Sequence, residues 1–131
     1  MTTSIVTAHG WELHNSSGGS DKFYRVLIVE RVVVFNWGAR RTRGQFTVRV
    51  YATRDQALAA AAAQTDAKAA KHYAVTRDMT QFTLDAAIAN ALTSLPVGKV
   101  ATPDRDTCGR IVDTFKFVAT TQGTSTPEAS R

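Results

Sequence analysis

Val34-Phe35-Asn36-Trp37-Gly38-Ala39-Arg40-Arg41-Thr42-Arg43-Gly44-Gln45-Phe46-Thr47-Val48-Arg49-Val50-Tyr51 reads as strand, tight loop, strand. The second strand, Gln45 to Tyr51, is the clearest in the chain. Phe46, Val48 and Val50 point one way, while Thr47, Arg49 and Tyr51 point the other, the period of two that a pleated strand imposes. The loop between the strands, Gly38 to Gly44, is bounded by two glycines. They suit the unusual backbone angles of a tight turn. Working backwards, Val32 to Trp37 is a strand, and Glu30-Arg31 is a polar break. Lys22 to Val29 alternates Tyr24, Val26 and Ile28 with Phe23, Arg25 and Leu27, so these two strands form a hairpin. A short strand, Trp11 to Leu13, opens the fold and ends in the flexible run Asn15-Ser16-Ser17-Gly18-Gly19-Ser20. The alternation predicts an antiparallel sheet with one wet face.

Forwards of Tyr51, Thr53 with Gln56 three residues on makes a capping box. The alanine-rich run Ala57 to Ala70 then has the highest helix propensity of the chain. Lys68, Lys71 and His72 close it, where cations suit the negative end of a helix dipole. Beyond Tyr73 two amphipathic helices are predicted. Thr83 would cap the first, with Leu84, Ile88, Ala91, Leu92 and Leu95 on one face and Pro96 and Gly98 as its stop. The second begins at Thr102-Pro103, with a stripe of Cys108, Ile111, Val112, Phe115 and Val118. The expected class is α+β: an antiparallel sheet with one packed helix over residues 1–80, and a two-helix C-terminal extension over 81–120. A disordered tail is expected over 121–131.

The charge is unevenly placed. The 131 residues carry a formal net charge of +5, which makes a polyanionic partner reasonable. Between Arg31 and Arg54 there are six arginines and no acid, whereas the rest of the chain holds ten basic and eleven acidic residues. The positive excess is therefore local. Three arginines, Arg40, Arg41 and Arg43, crowd one loop beside Trp37. Guanidinium groups fork phosphate oxygens, and an indole stacks on sugar or base, so this is suitable chemistry for nucleic acid. The competing readings are a solvated basic face and a core tryptophan that closes a strand end.

The ordered set Lys22-Phe23-Tyr24, Trp37-Gly38, the basic turn, Gly44-Gln45, a strand and a helix resembles the WGR domain. That family is best known from the DNA-dependent poly(ADP-ribose) polymerases and from small bacterial proteins. The resemblance covers roughly Trp11 to Tyr73 and implies non-catalytic binding of double-stranded DNA along its phosphate backbone, with ends or breaks as a further option. Trp37, Gly38, Gly44 and Gln45 match the motif. The third motif position is Ala39 instead of arginine, and Arg41 stands where the family commonly has glycine. Phosphate contact from this loop must then come from Arg40, Arg41 or Arg43. Arg49 on the neighbouring strand and Lys71 at the helix end complete the candidate DNA-binding set. Tyr73 lies beside Lys71, and for both a solvated helix end is the competing reading. The rival function is a protein-interaction adaptor or inhibitor using the same loop, or the C-terminal helices, to grip another protein or a second copy.

Other chemistries find little support. His9, His14 and His72 are scattered without a second ligand at metal spacing, so no metal and no cofactor are expected. Cys108 sits in an apolar stripe without a histidine partner, and a buried thiol is expected. Asp104 and Asp106 stand at a helix start, where acids suit the dipole. No catalytic constellation emerges, so no enzyme is expected. A single cysteine and the lack of a signal-like N-terminus or membrane-length apolar run lead to the expectation of a cytoplasmic protein, with no membrane partner.

Overall fold

The computed structural model describes residues 5–114. Six strands form one antiparallel sheet in the order β5-β1-β2-β3-β4-β6. They are β1 (Ile5–Asn15), β2 (Lys22–Val29), β3 (Val32–Ala39), β4 (Gln45–Val50), β5 (Ala74–Asp85) and β6 (Val100–Ala101). Three α-helices accompany them among the described residues: α1 (Arg54–Ala69), α2 (Ala86–Thr93) and α3 (residues 105–114). The α+β class expected from the sequence is the one observed.

The β2–β3 hairpin pairs Val29 with Val32, so Glu30-Arg31 is a two-residue turn as the polar break predicts. Alternation then assigns every strand residue to a face. Trp11, Leu13, Tyr24, Val26, Ile28, Val33 and Phe35 pack under α1, which contributes Ala57 and Ala61. Leu27, Val29, Val32, Val34, Phe46, Val48 and Val50 point to the opposite face, where Ile88 and Leu92 of α2 and Cys108, Ile111 and Val112 of α3 cover them. Both faces of the sheet therefore carry helices, and the wet part is confined to the β4 strip beside α1 and the β5 edge. The expectation of a whole wet face fails because the C-terminal helices lay their apolar stripes on this sheet, and burying such stripes is the main driving force available to them.

α1 begins as predicted. Thr53 accepts a hydrogen bond from the Gln56 amide, and the Gln56 side chain accepts one from the Ala52 amide. Trp11 donates its indole N–H to Thr65 at 2.7 Å, tying α1 to β1.

The segment after Tyr73 differs from expectation. Ala74–Asp85 is a strand that adds to the free edge of β1, and it runs through the expected boundary at residue 80. Thr83 is consequently in β5 and caps nothing. Asp85 is the cap of α2, accepting from the Ala87 amide, and Leu84 reaches the core from the strand. Val75-Thr76-Arg77-Asp78-Met79-Thr80-Gln81 lacks a clean apolar alternation because much of it stays exposed at the sheet edge. In α3 the start lies just after the predicted Pro103, with Asp104 accepting from the Thr107 amide. β1 is also longer than the three residues predicted. Phe115, Val118 and the expected tail lie outside the described residues.

Candidate nucleic-acid interface

The loop from Gly38 to Gly44 owes its shape to a close backbone approach. Gly38 has φ +156° and Gly44 φ +80°. A Cβ on Gly38 would sit 2.8 Å from the Gly44 Cα, and one on Gly44 would meet the Phe23 ring at 2.7 Å and the Trp37 carbonyl. Neither position tolerates a side chain. Arg41, at the loop tip, holds φ +71°, a left-handed conformation costly for a residue with a Cβ. That is a physical reason for a glycine at this position. Here the chain carries a guanidinium in its place.

Register separates the predicted residues between two faces. Trp37 pairs with Gln45 across β3–β4 and projects toward α1, half-buried, and like Tyr51, Leu58 and Tyr73 it packs against the core under that helix. Along β4, Thr47, Arg49 and Tyr51 continue the same face. Together with Trp37 they floor a trough of about 600 Å³ whose other bank is α1. That bank is low, because Ala60 and Ala63 line it, and it ends in Gln64 and Lys68. The alanine run thus leaves this space open. No acidic residue lines the trough among the described residues.

Its electrostatics are uniformly basic. The Lys68 ammonium stands 5.0 Å above the Tyr24 ring and 5.5 Å from that of Tyr73, within cation–π range. Burial first, and then the nearby charges of Lys71 and Lys22, hold its pKa below the ordinary lysine range. Burial pushes the Tyr24 hydroxyl up to about 12, although a hydrogen bond from Gln64 and the charge of Arg49 work against it. Lys71 is exposed just past α1, where its carbonyl accepts from Asn15.

Arg40 and Arg41 lie at the loop tip. Both face Asp21, at 3.4 and 3.9 Å, and Arg41 is 83% exposed, so it remains available to a partner. Arg43 turns the other way, against Gly109 of α3 on the opposite face of the sheet. On that side, too, Arg25 binds Glu12 at 3.0 Å and Asn36 at 2.9 Å, while Asn36 donates to the carbonyls of Arg43 and Gln45. Asn36 is therefore the brace of the loop. Gln45 itself is exposed at the start of β4.

The structure thus joins Trp37 with Arg49 in the trough, and brings Arg40, Arg41 and Arg43 together along the recess of the other face. Sequence reasoning missed Tyr24, Tyr51, Gln64 and Lys68 as trough residues. The helix spacing Ala57, Ala61, Gln64, Lys68 was the available signal, since it puts the last two beside the buried alanines.

The sequence model of the WGR domain family matches residues 9–80. The chain belongs to the WGR family. Its domains are nucleic-acid-binding modules and not catalytic ones. No curated protein and no solved structure matches the chain. The WGR match extends through Tyr73 into β5 and leaves α2, β6 and α3 outside it. Among the described residues no helix is long and apolar enough to cross a membrane, and no three metal-ligating side chains come together.

Proposed function

We propose that this WGR chain is a non-catalytic module, working in the cytoplasm, that binds double-stranded DNA by its phosphate backbone. The ends or breaks of the duplex would engage the indole of Trp37. The observation that carries this reading is the acid-free trough in which Trp37 lies beside Arg49 and Lys68. Arg40, Arg41 and Lys71 extend the positive surface at the loop end, where they would meet phosphates flanking the trough. In this reading affinity rests on phosphate contacts and stacking.

The deciding experiment is a titration against linear 5′-phosphorylated, nicked and closed circular duplex at several salt concentrations. Neutralising about three to five phosphates gives a slope of log K against log salt of roughly −3 to −4.5. A slope near zero refutes backbone binding. Equal affinity for all three forms retains backbone binding and refutes the role of ends. For the adaptor alternative, a grip by the C-terminal helices would have to use surfaces other than Ile88, Leu92, Cys108, Ile111 and Val112, which are buried against the sheet.

A further inference from the structure

The face opposite the trough carries a recess of about 510 Å³ between the sheet and α3. It exists because the apolar surface of that face ends at the loop end of the sheet, where Glu12, His14, Arg25 and Asn36 replace aliphatic residues. α3 has no side chain at Gly109 to fill the gap, and Arg43 lies against that bare backbone.

We propose that this recess is a second anion site, on the face opposite the trough and sharing only Arg40 and Arg41 with the proposed DNA surface, which takes a small phosphate-bearing ligand such as pyrophosphate or a nucleoside diphosphate. Four guanidinium groups, those of Arg25, Arg40, Arg41 and Arg43, line it against two carboxylates, Glu12 and Asp113. One carboxylate is already committed: Glu12 holds Arg25 at 3.0 Å and His14 at 3.2 Å. Arg25 is further fixed by Asn36 and by its stacking 4.1 Å over the Phe23 ring, so its charge is in place before a ligand arrives. Arg43 makes no ion pair among the described residues, and Arg40 and Arg41 share a single exposed carboxylate, that of Asp21. Forks converging from several directions suit a tetrahedral, multiply charged oxyanion, whereas a planar carboxylate satisfies at most two of them. The trough, by contrast, offers lysine, aromatic rings and one arginine. Because the recess needs α3, it belongs to this chain and not to the part that matches the family.

The test uses the full chain, with pyrophosphate, ADP and a 5′-phosphorylated trinucleotide as probes in separate NMR titrations. Saturable shifts are expected at the amides of His14 and Gly109 and at the Nε–H groups of Arg25 and Arg43, with the Trp37 indole unmoved. Pyrophosphate as the tightest probe identifies an inorganic ligand, ADP a nucleotide, and the trinucleotide a nucleic-acid terminus; each supports the site. Gly109→Leu fills the recess and Gly109→Glu places a carboxylate against Arg43. Either should weaken the tightest probe by roughly tenfold or more, with duplex DNA affinity held within roughly twofold because the trough is remote. The assignment is overturned if no probe gives saturable shifts, or if the shifts gather on Trp37, Arg49 and Lys68. It is equally overturned if folded Gly109 variants bind as the parent does. Should both variants misfold, the map on the unmodified chain decides alone.

Discussion

At the loop end of the sheet the two faces use opposite means to carry charge. On the α1 face, Trp37, Tyr24 and Tyr51 supply an aromatic floor, and Arg49 and Lys68 stand over it with no acid among the lining residues. On the α3 face, Arg25 is locked to Glu12 and Asn36, and the arginines share space with carboxylates. Both sets come from the same strands: Tyr24 and Trp37 look one way, Phe23, Arg25 and Asn36 the other. The difference is one of cost and availability. A charge left unpaired at a wet trough is cheap to hold and free to meet phosphate, whereas a half-buried one must be compensated internally or it destabilises the fold. The α1 face accordingly keeps its charges open to solvent, and the α3 face is first of all a structural network.

The largest effect should separate these roles. Arg25→Leu leaves the buried Glu12 carboxylate without its guanidinium and removes a partner of Asn36. It should cost about 3–5 kcal/mol of stability, read as a lower urea midpoint at unchanged slope. A loss below about 1 kcal/mol would mean that the network is solvated, and the contrast between the faces would collapse.

Tyr24 gives the next largest effect, through pH. Its hydroxyl is protonated up to about 12 in the folded protein, against 10.0 in the reference state. The unfolded chain therefore releases this proton first. The contribution of this group is fully present below pH 10 and is lost as pH rises from 10 to about 12, an effect of roughly 2 kcal/mol after a discount for solvent screening. Tyr24→Phe should flatten that part of the stability profile, measured by denaturant titration across the window. A mutant profile parallel to the parent's would show that Tyr24 is not the group responsible.

Trp37→Ala should cost about 1–3 kcal/mol of DNA affinity and reduce any preference for ends over closed circles. The tryptophan also packs on the core, so a cooperative melt and an unchanged far-ultraviolet spectrum must accompany the binding data. If the folded variant binds every DNA form as the parent does, the trough is not the site.

The smallest effect is a trade at the loop tip. Arg41→Gly should relieve the left-handed backbone and gain about 1 kcal/mol of stability. It should also lower the salt slope of DNA binding by about one, the signature of a lost phosphate contact. Gaining stability without any change in slope would remove Arg41 from the interface.

The regions legible in the sequence were those where local rules and tertiary packing agree. The strands around Trp37, the two-residue turn at Glu30-Arg31 and the capped α1 follow from alternation, turn chemistry and propensity. β5 was illegible for a physical reason. It is an edge strand with Arg77, Asp78 and Gln81 among its residues, and only Phe82 and Leu84 reach the core. Leu84 and Ile88, four apart, mimic one helical face although a chain reversal separates them. At the candidate site, the loop arginines were identifiable by composition, but period-two geometry alone could not show that Arg43 leaves Trp37's side. That depends on Gly109 of α3, more than sixty residues away.

α1 has one further consequence. The bank it forms beside Trp37 is built at Ala60 and Ala63 from single methyl groups, so the width of the trough is set by backbone and not by side-chain conformers. Such a gap behaves as a fixed gauge. Larger helix-favouring residues at these two positions would narrow it stepwise, without altering a charge or exposing core. Two alanines therefore fix the breadth of whatever the trough admits.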